Sequence, residues 1–235
     1  MIQTLLVDCD GTLHDNRLRL ERQAKAVKDA FGLTEGDLLE AYFDVHSRVH
    51  AEFRERHDDI ALHFELIAEA AARPIERGQA EMLAKKWREA YDEYQAAPVV
   101  FPDVRDFLAQ MQKMGVELVL VSGSTEQERW ELLKNMKIDG FFSRVFAANT
   151  LGCQKRDPSF YQIVIATLGI PAEQIGIVGD DPEDDLSAKR VGIYTLYLQR
   201  SSNGKPAGPW EADYIVHSLS EVAEALSSSA AHGSD

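Results

Sequence analysis

Two aspartates, Asp8 and Asp10, stand two residues apart directly after the apolar run from Ile2 to Val7. Side chains two positions apart on an extended segment start on the same face, so the two carboxylates are predicted to lie together. Gly11 follows them, and a glycine allows the chain to turn away sharply. Such a pair can divide the work of a reaction, because one carboxylate can attack as a nucleophile while the other carries a proton.

Polar residues also follow two later apolar runs. Ser122 and Gly123 come after the run from Val116 to Val121, and a stretch rich in aspartate comes after the run from Ile175 to Val178. In open parallel α/β sheets, ligands lie outside the carboxyl ends of the strands, so these groups are expected at one rim. Lys155, in a loop that precedes a helix, is placed to reach the same rim. The acids of the last stretch are Asp180, Asp181, Asp184 and Asp185.

The carboxylates crowded at this rim repel one another unless a divalent cation neutralises their charge. Oxygen-only ligands suit Mg2+, which is usually held by a few carboxylates together with substrate phosphate. The hydroxyl of Ser122, the backbone amides beside it and the ammonium of Lys155 supply donors for the remaining phosphoryl oxygens. The pattern predicts phosphoryl transfer assisted by Mg2+.

The order D-x-D-G-T, strand-end serine, isolated lysine and G-D-x-x-x-D resembles the haloacid dehalogenase superfamily of hydrolases. The resemblance covers residues 1–14 and 98–226 and implies a Rossmann-like core with strand order 5-4-1-2-3. It also implies a helical cap, inserted after the first motif, that closes over the site. The site residues it implies are Asp8 as nucleophile, Asp10 as general acid and base, Ser122, Gly123 and Lys155 as phosphate binders, and Asp8, Asp180 and the backbone carbonyl of Asp10 as ligands of Mg2+.

The second acid of the last motif is ambiguous, because the sequence offers Asp184 and Asp185. Asp184 is favoured by its distance of four residues from Asp180 and by its spacing to the glycine before the next strand. Asp181 and Thr12 are candidates to orient the metal ligands without binding the metal themselves. Two departures from the family pattern are Cys9, between the motif aspartates, and Arg156, whose role the sequence leaves open.

The elements that must position these residues alternate between short apolar strands and amphipathic helices from residue 98 onward. Strands joined by single helices demand a parallel sheet with helices on both faces. Between residues 15 and 97, apolar residues at three-to-four spacing predict four helices and an all-helical inserted domain. The predicted fold is therefore a Rossmann-like α/β core, residues 1–14 and 98–226, with a helical cap at 15–97 and a disordered tail at 227–235.

Composition excludes several classes. The chain has 235 residues, of which 45% are hydrophobic and 27% charged, as in ordinary globular proteins. A formal charge of -14 disfavours nucleic acid and anionic membranes as partners. The two cysteines, Cys9 and Cys153, cannot form a disulfide framework, and the first apolar run is too short for a signal peptide, so a cytoplasmic protein is expected.

The predicted activity is that of a Mg2+-dependent phosphatase, which hydrolyses a small phosphomonoester through an aspartyl-phosphate. Asp10 argues against a dehalogenase, since a leaving halide needs no proton. A phosphomutase and a catalytically idle interaction module remain as alternatives, and the oligomeric state is not predicted. His46 and His50 are four residues apart on a cap helix, where a solvated face is favoured over a metal site. His14 is either a specificity residue at the cap junction or a plain surface histidine.

Overall fold

The computed structural model describes residues 2–56, 59–200 and 211–229. The chain divides into two compact units: a core unit, formed by the described residues up to Asp15 and from Pro98 onward, and a helical unit, Asn16–Ala97. Residues 201–209, whose polar, Gly- and Pro-rich sequence predicts a loop, lie outside the described residues, as does most of the predicted tail, residues 230–235. Residues 227–229 form the end of the last helix.

The core unit is built on a six-stranded sheet in the order β3-β2-β1-β4-β5-β6, and every neighbouring pair is parallel. This confirms the predicted fold class. All five residues of β1 and of β4 are buried, as is usual for strands covered on both faces. The strands are β1 (Thr4–Asp8), β2 (Glu117–Ser122), β3 (Phe142–Ala147), β4 (Ile175–Gly179), β5 (Tyr194–Leu198) and β6 (Tyr214–Val216).

Helices cover both faces of this sheet. Alternate strand residues enter opposite layers, so Leu5 and Val7 pack with Phe107 in one apolar cluster while Leu6 packs with Phe160 in the other. Because β1 is central and its register with β2 pairs Asp8 with Val121, the ends of these two strands lie side by side. The helices of the core unit are α5 (Val104–Met114), α6 (Glu126–Met136), α7 (Ala148–Leu151), α8 (Pro158–Leu168) and α9 (Val222–Ser229).

The sequence pattern from Glu183 to Val191 predicts a regular helix after β4, but the structure differs there. A 3-10 helix, Leu186–Val191, begins only after a turn. In that turn the carboxylate of Asp181 accepts hydrogen bonds from the backbone N–H groups of Glu183 and Asp184, at 2.9 and 3.1 Å. An aspartate that binds nearby backbone donors in this way stabilises a turn in competition with a helix.

The helical unit contains α1 (Asn16–Val27), α2 (Glu35–Glu52), α3 (Ile60–Ala70) and α4 (Arg77–Ala96). The side chains of Thr34 and Asp59 cap α2 and α3 by accepting from backbone N–H groups. Its core has aromatic residues at its centre, among them Phe64 and Trp87, whose ring centroids lie 5.6 Å apart. Across the part of the chain that the structure describes, no helix combines the length and the apolar character that a membrane crossing requires.

Candidate active site

Asp8 ends β1 with its side chain almost fully buried, and the ammonium of Lys155 lies against it. The Lys155 Nζ atom is 2.5 Å from Oδ1 of Asp8 and 2.7 Å from Oδ1 of Asp185. Burial raises the pKa of the Asp8 carboxyl above its ordinary value, against the opposing attraction of Lys155. The structure thus brings together the two residues predicted as nucleophile and phosphate-binding lysine.

Lys155 belongs to the loop between α7 and α8, and its backbone is tied to the segment after β4. The hydroxyl of Ser187 donates to the Lys155 carbonyl at 2.7 Å. Burial alone would lower the pKa of Lys155, but the carboxylates of Asp185 and Asp8 outweigh burial and hold that pKa well above its ordinary value. Lys155 is therefore a fixed, charged ammonium.

The structure gives the two adjacent acids of the last motif different partners. Asp185 is fully buried, pairs with Lys155 and accepts a hydrogen bond from the Asp181 N–H at 3.0 Å. Asp184 instead pairs with Arg156 at 3.2 Å, and the Arg156 side chain is 54% exposed. Because of the turn built on Asp181, Asp185 contacts Lys155, whereas Asp184, which the spacing favours as the second motif acid, contacts Arg156.

Glycine at the end of β4 makes the close approach of Asp185 possible. A Cβ atom at Gly179 would clash with the Asp185 carboxylate. The sequence reasoning assigned no role to this glycine, which begins the G-D-x-x-x-D motif, and did not single out Ser187. Asp181, predicted to support a metal, is exposed, and its hydrogen bonds shape the turn.

Substituting the two adjacent acids one at a time measures this difference. We expect Asp185→Asn to lower kcat/KM at least about tenfold and the free energy of unfolding by about 2 kcal/mol, since Lys155 loses one of its two charged partners. Asp184→Asn is the matched control: its pair with Arg156 is solvent-exposed, and such pairs contribute about 0 to 1 kcal/mol. Steady-state kinetics and urea denaturation of both variants check the ranking, and a larger loss for Asp184→Asn would reverse the assignment.

Asp180 follows β4 and is oriented by a hydrogen bond from the Thr12 hydroxyl to its Oδ1 at 2.9 Å. Burial and the nearby charge of Asp8 raise the pKa of Asp180 to about 7. Gly11, at φ +80°, passes so close that a Cβ atom there would clash with the Asp180 carboxylate. Asp8 and Asp180 are thus hard oxygen donors whose negative charges disfavour each other, and this donor chemistry fits a divalent cation such as Mg2+.

Ser122 ends β2, one residue beyond the partner of Asp8. Its side chain is 1% exposed, and its hydroxyl has no hydrogen-bond partner among the described residues. Gly123 follows in an exposed bend with open space where a side chain would lie. A buried hydroxyl that finds no protein partner is available to a ligand.

Asp10 is held by two side chains that the sequence analysis did not connect to it. His14 Nε2 lies 2.9 Å, and Arg129 Nη1 3.2 Å, from the same oxygen, Oδ1. His14 is 1% exposed, so the interpretation as a surface histidine was wrong. Burial lowers the pKa of His14, but hydrogen bonds to Asp10 and Cys9 outweigh it and raise that pKa to about 11.

Arg129 could have been found from the sequence. It lies on α6 three and four residues before Leu132 and Leu133, so it occupies the apolar stripe of an amphipathic helix. A charged residue in that stripe indicates a buried partner.

The two histidines that the sequence places on one cap helix, His46 and His50, lie in the helical unit. His46 is half-buried rather than on a solvated face: its Nδ1 is 3.1 Å from His63 Nε2, and its ring stacks on Tyr42. The side chain of His50 lies outside the described residues.

Comparison with known proteins decides the family. The family model for haloacid dehalogenase-like hydrolases matches residues 2–192. The chain belongs to this family. It is 34% identical over 160 residues to a phosphoglycolate phosphatase of Pseudomonas syringae pv. tomato, a match that covers 66% of this chain and 59% of the relative. The chain thus spans less than two thirds of that relative's length.

Solved structures of the haloacid dehalogenase family share the fold. The HAD-hydrolase YfnB from Bacillus subtilis, solved bound to magnesium, superposes with a TM-score of 0.78 at 19% identity over 96% of this chain and 98% of its own. A 2-haloacid dehalogenase from Pseudomonas syringae pv. tomato gives 0.68 at 20% identity over 97% and 99%. Because the same fold serves different reactions, the reaction must be argued from the site.

Proposed function

We propose that this chain is a Mg2+-dependent phosphatase that hydrolyses a small phosphomonoester through an aspartyl-phosphate. The observation that carries the proposal is the buried contact of 2.5 Å between Lys155 Nζ and Asp8 Oδ1. A fixed ammonium beside a buried carboxylate is suited to receive a phosphoryl dianion next to a nucleophile.

In the first half of the reaction, Asp8 attacks phosphorus in line, and the bond from phosphorus to the ester oxygen breaks. Asp10 gives its proton to the departing oxygen, so that an alcohol leaves. Lys155 and the Ser122 hydroxyl donate to the phosphoryl oxygens, where negative charge is spread. In the second half, Asp10 takes a proton from water, and the water attacks the aspartyl-phosphate to release phosphate and restore Asp8.

Asp8, Asp180 and the backbone carbonyl of Asp10 would hold Mg2+. When bound, the cation supplies positive charge beside the phosphoryl oxygens and offsets the repulsion between the two carboxylates. Thr12 contributes by fixing the Asp180 carboxylate through its hydrogen bond of 2.9 Å.

Asp10 favours a phosphatase over a dehalogenase, because an alkoxide needs the proton that a halide does not. The similarity to a phosphoglycolate phosphatase supports the same choice and makes 2-phosphoglycolate the first substrate to test. The test is a phosphate-release screen of the purified chain over metabolite phosphomonoesters with Mg2+. Turnover of at least one ester supports the proposal. A folded chain that releases phosphate from none of the esters, an aryl phosphate included, contradicts it.

Removing the acid at position 10 should affect esters according to their leaving groups. General acid catalysis contributes about 10^2 to 10^4-fold, so Asp10→Asn is expected to reduce kcat by that order on an alkyl phosphate. The reduction should be smaller on nitrophenyl phosphate, whose leaving group needs little protonation. Rates measured on both esters check this, and equal losses would mean that Asp10 acts only through structure or metal placement.

A further inference from the structure

The buried guanidinium of Arg129 contacts Asp10, and the proposed reaction gives it no role. The Arg129 side chain is 4% exposed. Its Nη1 atom lies 3.2 Å from Oδ1 of Asp10 and 3.6 Å from Sγ of Cys9. The contact joins α6 to the end of β1 across 119 residues of sequence.

His14, four residues after Asp10 in the sequence, contacts the same carboxylate oxygen. Its Nε2 is 2.9 Å from Oδ1 of Asp10, and its backbone carbonyl accepts from the N–H of Gly11 at 3.1 Å. The histidine is therefore tied to the turn by its backbone as well as by its ring. A guanidinium and an imidazole, both buried, converge on one oxygen of one carboxyl group.

Burying an arginine is unfavourable, because its charge loses water that protein partners must replace. The neighbouring buried positions on α6 carry Leu132, Leu133 and Met136, so an apolar side chain would suit this layer. A buried ion pair is weak evidence for added stability, and in some proteins such a pair instead specifies geometry. The charged group that Arg129 contacts here is the Asp10 carboxylate.

The same neighbourhood contains a group of three possible metal ligands, Cys9, Asp10 and His14, whose ligand atoms lie within 4.8 Å of one another. The Arg129 guanidinium contacts two of those three residues. A fixed positive charge within hydrogen-bond distance of the ligand atoms opposes a second cation. The cluster is therefore better explained as a support for Asp10 than as a metal site.

We propose that Arg129 and His14 are positioning residues that clamp Oδ1 of Asp10 and thereby fix the orientation of the carboxyl group that exchanges a proton with the leaving group and with water. A carboxyl group held at one oxygen by two buried side chains cannot rotate freely, so the clamp keeps it aligned for proton transfer. This role rests on the proposed function, because it concerns the step in which Asp10 acts.

A double-mutant cycle tests the clamp in the full chain with Mg2+. We expect Arg129→Met to lower kcat on 2-phosphoglycolate or another alkyl phosphate that the chain hydrolyses by about 10 to 100-fold, with KM changed far less and a smaller loss on nitrophenyl phosphate. In an Asp10→Asn background the same substitution should cost less than about twofold, because there is no proton transfer left to orient. Equal factors in the two backgrounds would overturn the clamp.

Further variants keep this outcome interpretable. His14→Gln retains an N–H donor near the Nε2 position and should be milder than His14→Leu, which serves as the second arm if Arg129→Met does not fold. Lys134→Met, an exposed position on the same helix, is the matched control and should leave kcat and the melting temperature unchanged. If His14→Gln and His14→Leu lose activity equally, the donor is irrelevant and the proposal is wrong.

A folded wild type without phosphatase activity would overturn the proposed function itself, whereas an active wild type with an additive cycle overturns only the clamp.

Discussion

Asp8→Asn should reduce kcat by at least about a thousandfold, because the amide cannot form the acyl-phosphate bond that the proposed reaction requires. The change is nearly isosteric and removes one negative charge from a crowded rim. Lys155 keeps its pair with Asp185 at 2.7 Å, so the chain is expected to stay folded. Steady-state rates and a thermal melt measured on the same preparation separate loss of chemistry from loss of structure.

The control for this substitution is Asp106→Asn, which makes the same chemical change at an exposed position on α5. It should leave kcat at the wild-type value and lower the melting temperature by no more than about 4 °C, because Asp106 lies in the first turn of α5, where a negative charge contributes about 0.3 to 1 kcal/mol. Acid quenching of the wild type during turnover, followed by mass spectrometry of the peptide that contains Asp8, should reveal a phosphoryl adduct that the Asp8→Asn protein lacks. Residual activity of the variant above about a thousandth of wild type would contradict a covalent role.

Removing divalent cations should abolish activity, and Mg2+ should restore it. A ligand that binds only the folded state raises the free energy of unfolding by about 2.7 kcal/mol at a hundredfold excess over its Kd. For a chain of this length, that corresponds to a rise in Tm of roughly 5 to 10 °C. Thermal melts in EDTA and in Mg2+ check the stability arm independently of the activity. Full activity in EDTA would exclude the proposed assistance by Mg2+.

The rise in Tm that Mg2+ produces should be larger at higher pH. The pKa of Asp180 in the metal-free fold is about 7, above the 3.8 of an ordinary aspartate. Between these values the folded chain holds a proton that the unfolded chain has lost, so this stabilising contribution is present at low pH and is lost as pH rises through about 7. Mg2+ competes with that proton, and its effect on Tm should be larger at pH 8 than at pH 5.5. An effect independent of pH would show that Asp180 does not bind the cation.

The sequence by itself determined the sheet and most of the acids at its rim. Apolar runs of strand length that end in Asp8, Ser122 or Asp180 encode both a buried parallel strand and a polar end, and both properties are local. The four helices between residues 15 and 97 were equally readable, because a three-to-four apolar period persists through each of them.

Tertiary structure alone decided how these groups meet. Asp184 and Asp185 differ by one position, and the Asp181 turn, rather than a helix, sets which of them faces Lys155. Arg129 reaches Asp10 across 119 residues, a contact that no local spacing could predict. Local patterns determine which face a residue lies on, but the partner of a buried charge depends on which distant elements pack against that face, and only the assembled fold specifies them.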